Sequence, residues 1–300
     1  MFKVGIVGKN GQLGSEMIRR SHGRDCLVEG YGSGELDITD QDSVTKGLRK
    51  KGMDLIVNAA AYTAVDQAEK DAPRAHAVNA HGPANLAVFC AQEHIPLIHV
   101  STDYVFDGTQ TVPYRETDAI APLGVYGESK AQGEQKVRRQ LTDHIIVRTA
   151  WLYSATGHNF VKTMLRFGQE RPVLKVVDDQ HGSPTSAADL ADAIWQIIAA
   201  LRRNDGTYWG TYHFCNRGQT TWYGLAKAVF EHARRYAGYP LQLKQLLPIP
   251  TSQYPTPTRR PAYSVLNCDL IQSTFQMTIR HWEAALDDTM NDLFRHSDEG

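Results

Sequence analysis

The sequence predicts an α/β fold, a doubly wound (Rossmann) parallel sheet with a smaller C-terminal α/β substrate-binding domain. Three observations predict it. Short β-rich runs alternate with helical patterns through the first half of the chain, a glycine-rich turn joins the first run to the first helix, and the alternation weakens after Trp151.

The β-rich runs are Lys3-Val4-Gly5-Ile6-Val7, Asp54-Leu55-Ile56-Val57, Leu97-Ile98-His99-Val100 and His144-Ile145-Ile146-Val147. Their near-continuous apolar character is that of strands covered on both faces. Between them lie helical patterns over Gln12 to Arg20, from Asp40 with Val44 and Leu48 on one face, over Pro73 to Gln92, and over Ser129 to Arg139. A right-handed crossover returns each strand parallel to its neighbour, which gives one sheet with helices on both sides. Past Trp151, Asn159 to Phe167 reads as helix, Leu174 to Val177 as strand and Ser186 to Leu201 as a long helix with an apolar face. Thr211 to Cys215 reads as a strand that rejoins the sheet. A helix to Arg235, an ordered Pro-rich loop from Pro248 to Pro261 and a final helix from Trp282 to Phe294 complete the chain. The expected division is residues 1–152 plus about 186–216 for dinucleotide binding, and about 153–185 plus 217–300 for substrate.

Composition narrows the function classes. With 32 basic and 33 acidic residues the formal charge is -1, so no global field favours nucleic acid or an anionic membrane. No apolar run approaches the roughly 20 residues needed to cross a bilayer. The chain enters a strand-like run at once instead of a signal segment, and Cys26, Cys90, Cys215 and Cys268 show no close sequence pairing. Both features point to a reducing cytoplasm.

Gly8-Lys9-Asn10-Gly11-Gln12-Leu13-Gly14 follows the first strand and opens the first helix. Glycines there permit a tight turn and a close approach to a pyrophosphate, while the helix N-terminus offers free N–H groups and a positive dipole end. Gly30-Tyr31-Gly32-Ser33-Gly34 is equally glycine-rich but starts no helical pattern, so it reads as a plain loop. The second strand is expected to end near Glu29 or Gly30. Leu36-Asp37-Ile38-Thr39-Asp40 then follows, where Asp37 and Ile38 meet the adenine of a cofactor or Asp37 caps the next helix. With no carboxylate at the strand tip and Ser33 able to donate to a 2'-phosphate, NADPH is the expected cofactor, NADH remaining open; Glu29 is the rival acid if the strand ends earlier.

Tyr126-Gly127-Glu128-Ser129-Lys130 sets a phenol and an ammonium on one helical face. A neighbouring cation stabilises a phenolate and lowers the phenol's pKa, which makes Tyr126 a candidate proton donor. The same spacing recurs at Tyr223 and Lys227, where helix packing is expected. Only Tyr126 follows the strand ending in Ser101-Thr102-Asp103-Tyr104, whose hydroxyls can grip a reacting oxygen.

At these residues the chain resembles the extended short-chain dehydrogenases/reductases, and within them the dTDP-4-dehydrorhamnose reductase family. The likeness also rests on Asn58 to Asp66, Ser101 to Gly108, Arg148 to Tyr153 and Arg259 to Ser264. It implies that Thr102, Tyr126 and Lys130 are catalytic, with Lys130 also holding the nicotinamide ribose. Ala59, Ala60 and Tyr62 would flank the cofactor, and Val65, Tyr104 and Trp151 would line the sugar site. Arg260 suits a diphosphate, since a guanidinium donates two parallel hydrogen bonds. The implied reaction is reduction of the C4 ketone of a dTDP-linked 6-deoxy sugar, and a homodimer is left open. Some members hold magnesium through a first-helix glutamate and a later acid. Glu16 is present, but Asp189 is one place off that pattern, about a quarter turn round a helix, so no metal is expected. Two other readings share the fold. One is an epimerase or 4,6-dehydratase, against which Tyr104 stands where a dehydratase has a second acid beside Asp103. The other is a non-catalytic subunit like the regulatory subunit of methionine adenosyltransferase.

Overall fold

Strand alternation sorts the apolar side chains of the first half onto two opposed faces, and each face acquires its own helices. The computed structural model describes residues 1–203, 206, 208–236 and 238–295; residues 204, 205, 207, 237 and 296–300, inside the expected domain segments, lie outside the described residues. Strands β1 (Phe2–Val7), β2 (Cys26–Tyr31), β3 (Leu55–Asn58), β4 (Leu97–Thr102), β5 (His144–Thr149) and β7 (Gly210–His213) form one sheet. Its order is β7-β5-β4-β3-β1-β2, with every pair parallel. From β1 the chain turns first to one side and then to the other, so a crevice opens beyond the C-terminal ends of β1 and β3.

On one face Val4, Ile6, Leu55, Val57, Ile98, Ile145 and Val147 pack against Leu13 and Met17 of α1 (Gln12–Arg19) and Leu190, Ile194 and Trp195 of α6 (Ala187–Arg203). The Trp195 indole donates to the Met17 carbonyl at 3.1 Å, which satisfies its one buried donor. On the other face Val7, Ile56, Leu97 and Ile146 meet Val44 and Leu48 of α2 (Gln41–Leu48), Leu86 and Phe89 of α3 (Gly82–Glu93) and Val137 of α4 (Val125–Gln140). Burial of each Ile, Val or Leu is worth about 1.5–3 kcal/mol.

A separate cluster joins α5 (Phe160–Glu170), β6 (Val173–Val177), α7 (Trp222–Arg235), β8 (Gln245–Ile249) and α8 (Trp282–Arg295) through Val161, Leu165, Leu174, Phe230 and Leu286. Among the described residues no helix is long and apolar enough to cross a membrane.

Several local expectations change. The helix expected from Pro73 to Gln92 is interrupted by a π turn at Ala77–His81, which turns Asn79 inward. α4 starts at Val125 instead of Ser129, which places Tyr126 in its first turn. The Gly30 to Gly34 stretch is strand through Tyr31, because Gly30 pairs with Ile6 and Tyr31 with Val7. The Pro-rich loop begins as strand, with Pro248 opposite Val176 in the two-stranded β6–β8 ladder. Cys215 and Cys268, distant in sequence, meet as free thiols, the Cys215 amide donating to the Cys268 sulfur at 3.2 Å.

One ion pair lies inside this architecture. Glu134 of α4 accepts from Arg148 of β5 at 2.9 Å (Nε to Oε1) and 2.8 Å (Nη2 to Oε2), with side-chain exposures of 0% and 1%. Burial and the Arg148 charge bring the His213 imidazole down to about 3. Its neutral ring can therefore accept from Arg148 Nη1 at 3.3 Å while the other ring nitrogen donates to the Tyr114 carbonyl at 3.1 Å. Removing one partner of such a pair strands a buried charge. Glu134→Ala should cost about 3–5 kcal/mol of unfolding free energy; a urea midpoint equal to that of the parent chain would show the pair to be dispensable.

Candidate functional site

A cleft of about 810 Å³ runs along the C-terminal edge of the sheet, from the tip of β2 to the α5–α7 cluster. It lies at the upper end of the usual range for ligand clefts. Gly8, Asn10, Gly11, Gln12, Leu13, Asp37, Ile38, Ala59, Ala60, Tyr62, Val65, Thr102, Tyr104, Tyr126, Lys130 and Trp151 all line it. Arg260 is the one expected site residue that does not.

The glycine turn is shaped for close approach. Gly8 has φ +92°, and a Cβ there would sit 2.6 Å from the Ala60 nitrogen. A Cβ on Gly14 would sit 2.1 Å from the Gly8 carbonyl oxygen, so only glycine lets α1 seat on β1. Gly11 caps α1 without a side-chain acceptor, which leaves the first-turn N–H groups to a ligand anion. Gln12 is already engaged through its side chain, accepting from Asn159 Nδ2 at 2.9 Å and from Ser154 Oγ at 3.2 Å. This links α1 to the start of α5.

At the β2 tip the expectation of no carboxylate is corrected. The turn after Tyr31 folds Glu35 back so that it accepts from the Gly32 amide at 2.8 Å and pairs with Lys9 at 2.7 Å. The acid arrives with its own cation, and Lys9 with the Gly32 amide holds its carboxyl below the usual range. Glu29, the rival acid, instead pairs with Lys51 at 2.6 Å. Asp37 accepts from the Thr39 amide at 2.9 Å and from its hydroxyl at 2.7 Å, while the cap of α2 is Asp40, not Asp37. Ser33 and Thr39 complete this end of the cleft.

At the other end β4 and α4 converge. Tyr126 is buried against Tyr104, ring centroids 5.6 Å apart in an edge-on arrangement. Burial pushes the Tyr126 phenol up to about 12, opposed by hydrogen bonding with Thr102. Burial also pulls the Lys130 ammonium down to about 8, Glu134 opposing, and Lys130 Nζ donates to the Val100 carbonyl at 2.6 Å. Desolvation dominates both groups, and the ammonium is directed at the strand backbone. Thr102 donates to Asp103 Oδ1 at 3.1 Å and accepts from the Tyr104 amide at 3.3 Å.

Between the two ends, Asn58 Oδ1 accepts from the Ala60 amide at 3.1 Å. Asn79 brackets Tyr62, accepting from its amide at 2.8 Å and donating to its carbonyl at 3.0 Å, and also donates to Ser129 at 3.0 Å. Sequence reasoning missed Asn79, because only the π turn aims it inward. It also missed Trp222. That indole stacks on Trp151 with centroids 3.5 Å apart and planes 6° apart, and both rings line the cleft. Trp151 holds a left-handed backbone, φ +48°, and a Cβ on Gly182 would sit 2.4 Å from its ring. A helix running to Arg235 was legible, but nothing in the sequence paired Trp222 with Trp151.

Arg260 is paired with Asp66 at 2.9 Å, its Nε buried without a partner. One Arg260 N–H is given to Asp66, and its other guanidinium donors have no partner among the described hydrogen bonds. Arg74, which pairs with no acid in the described salt bridges, lines the cleft beside Tyr62 and Val65. Glu16 accepts from Arg19 and Arg20, and Asp189 from Arg280 and Asn216.

The residues fit a dinucleotide. The cradle has no room for a Cβ at Gly8 or Gly14, and the buried Thr149 hydroxyl on the cleft wall lacks a partner. Comparison with known proteins agrees. The family model described as RmlD substrate binding domain matches residues 2–295. The dTDP-4-dehydrorhamnose reductase of Escherichia coli K12 is 41% identical over 293 residues, covering 96% of this chain and 97% of its own. A crystal structure of a dTDP-4-dehydrorhamnose reductase from Clostridium acetobutylicum superposes with a TM-score of 0.90 at 36% identity, covering 97% of this chain and 99% of its own. That of Bacillus anthracis, solved in complex with NADP, gives 0.90 at 35% identity, covering 97% and 100%.

The cradle yields a direct test. Gly14→Ala should weaken binding of NADPH, followed by its fluorescence, by about tenfold or more, the effect of a shift near 1.4 kcal/mol. Unchanged affinity would remove the turn from the binding site.

Proposed function

We propose a function from one premise: the chain belongs to the RmlD substrate binding domain family, that of the dTDP-4-dehydrorhamnose reductases. It reduces the C4 ketone of dTDP-4-dehydro-6-deoxy-L-mannose to give dTDP-L-rhamnose, with NADPH as reductant. The observation that carries this reading is the convergence of Thr102, Tyr126 and Lys130 on the same cleft as the Gly8 to Gly14 cradle. A bound dihydronicotinamide supplies the hydride.

The chain's own residues do the rest. As charge builds on the ketone oxygen, Tyr126 gives it a proton; with a pKa near 12 the phenol is fully protonated at neutral pH and less basic than an alkoxide. The Thr102 hydroxyl sits beside that oxygen and steadies it. Lys130 keeps a positive charge near the phenolate that remains, and holds the nicotinamide ribose. Gly8, Asn10, Gly11, Gln12 and Leu13 hold the pyrophosphate through backbone N–H groups, with Ala59, Ala60 and Tyr62 along the nicotinamide half. Asp37 and Ile38 border the adenine. Lys9, which offsets Glu35, together with Ser33 favours a 2'-phosphate and hence NADPH over NADH. Val65, Tyr104 and Trp151 form the sugar wall, Trp222 backs Trp151, and the α5–α7 cluster carries the substrate half of the chain. Arg260 offers a substrate diphosphate the guanidinium donors that Asp66 leaves free.

The proposal places this chemistry in the cytoplasm, in keeping with the free cysteines, and extends to a homodimer. Sedimentation velocity checks the assembly, and a monomer at micromolar concentration would remove that part.

Stoichiometric NADPH oxidation on addition of the keto sugar is the decisive assay. Turnover without net oxidation would mark an epimerase or dehydratase. No turnover, with capture of a synthetase partner, would mark a regulatory subunit. Tyr126→Phe should keep NADPH affinity and lower kcat by about 10² or more; near-normal kcat would exclude Tyr126 as the donor. The ammonium of Lys130 loses its charge as pH rises through about 8, so kcat should fall on that side, and Lys130→Arg should abolish that limb while lowering kcat. A wild-type profile flat to pH 10 would contradict the assignment.

A further inference from the structure

The proposed ligands of the cleft carry phosphates, and its wall supplies few permanent cations. Lys130 is buried at the catalytic end and donates to the Val100 carbonyl. Lys9 pairs with Glu35 and Arg260 with Asp66, and neither lines the cleft. Arg74 does line it, and no other arginine of the described residues does. It is exposed, and it has no partner among the described hydrogen bonds, ion pairs and ring contacts.

The backbone beneath Arg74 is held in place. The residue belongs to the short helix Ala72–His76, and its neighbour Ala75 is fully buried in a cluster with Ala68 and Tyr126, on which Tyr62 and Val65 also pack. His76 meets Gln132 of α4 at 3.1 Å. Val78, one turn past Arg74, packs with Ala60 against the core cluster that includes Ile38. Ala60 in turn abuts the glycine cradle, since a Cβ on Gly8 would sit 2.6 Å from its nitrogen. Arg74 therefore rises from a fixed base between the cofactor half of the cleft, marked by Tyr62 and Val78, and the sugar wall at Val65. A diphosphate is the group that both ligands of the proposed reaction share, and a guanidinium donates two parallel N–H groups to such oxygens.

We propose that Arg74 binds a ligand diphosphate in this cleft, donating both arms of its guanidinium fork to phosphate oxygens. The inference rests on the reductase reading above, which supplies the two candidate ligands, NADPH and the nucleotide sugar. It adds a charge that the cradle lacks: the first turn of α1 has no side-chain cap and no acid, and a helix N-terminus supplies only about half a unit charge. An exposed arginine without an acid partner also suits a cleft that admits and releases two ligands per turnover, because its hydrogen bonds form on arrival with no carboxylate to displace.

Arg74→Gln removes the charge and keeps a polar side chain, while Arg74→Lys keeps the charge and removes the fork. Neither touches a packed contact, so both should melt with the parent. In Arg74→Gln, either NADPH and NADH, followed by fluorescence, weaken together by about tenfold, or dTDP, followed by calorimetry, weakens by that factor, the range for a hydrogen bond to a charged group. The first result places the bond on the cofactor pyrophosphate, which the two dinucleotides share; the second places it on the nucleotide sugar, whose KM should rise alike. In Arg74→Lys most of the loss should persist, because an ammonium cannot make the paired bonds. A loss confined to NADPH would mean a 2'-phosphate contact, a uniform loss restored in full by lysine would mean diffuse attraction, and parent affinities throughout would mean a solvated side chain; each overturns the inference. If the parent chain oxidises no NADPH with the keto sugar, it is the reductase reading that fails, while the dinucleotide titrations still test Arg74.

Discussion

The Glu134–Arg148 pair is the constraint on which the rest of the site depends. Two opposite charges lie inside the protein at 2.8 Å, and their desolvation is tolerable only because every guanidinium and carboxylate atom involved finds a partner. The pair fixes helix α4 to strand β5, and α4 is the element that carries Tyr126 and Lys130. Because Arg148 also leans on a neutral His213, strand β7 is drawn into the same arrangement. The phenol and ammonium are thus aimed by a bond made one to two helical turns away, not by their own contacts with solvent or with each other.

Burial also sets the acid–base character of the site. It holds the phenol protonated, and it brings the lysine and Asp103, which would differ by several pH units in water, closer to the working range. At the far end the same cleft handles charge differently. Glu35 is exposed and neutralised by an adjacent ammonium, and the helix N-terminus and glycine backbone meet the expected phosphates without any buried cation. Hydride chemistry at one end and anion binding at the other share one sheet edge because the strand order reverses at β1.

Much of this was legible from residue order alone. The strands announced themselves by apolar runs, and the cradle by glycines set between a strand and a helix; Tyr126 and Lys130 stood out through spacing and position after β4. What could not be read depends on contacts between distant segments. That the ammonium donates to the Val100 carbonyl follows from how α4 packs on β4, which no spacing reveals. Glu35 reaches the strand tip only because a turn folds it back, and Arg260 is claimed by Asp66, 194 residues away in sequence. Asn79 matters because a π turn adds one residue to a helix that otherwise reads as regular. Trp222 joins Trp151 from another part of the chain.

The two indoles carry one more consequence. Trp151 holds a backbone conformation that a bulky residue adopts at a cost of about 1–3 kcal/mol, and it does so with Trp222 flat against it and the bare backbone of Gly182 at its edge. The shelf proposed for a sugar ring is therefore a three-residue unit. Redesign toward a bulkier or differently configured hexose would have to exchange all three together, since altering the indole alone leaves a strained peptide with nothing to hold it and a gap where its neighbours expect a ring.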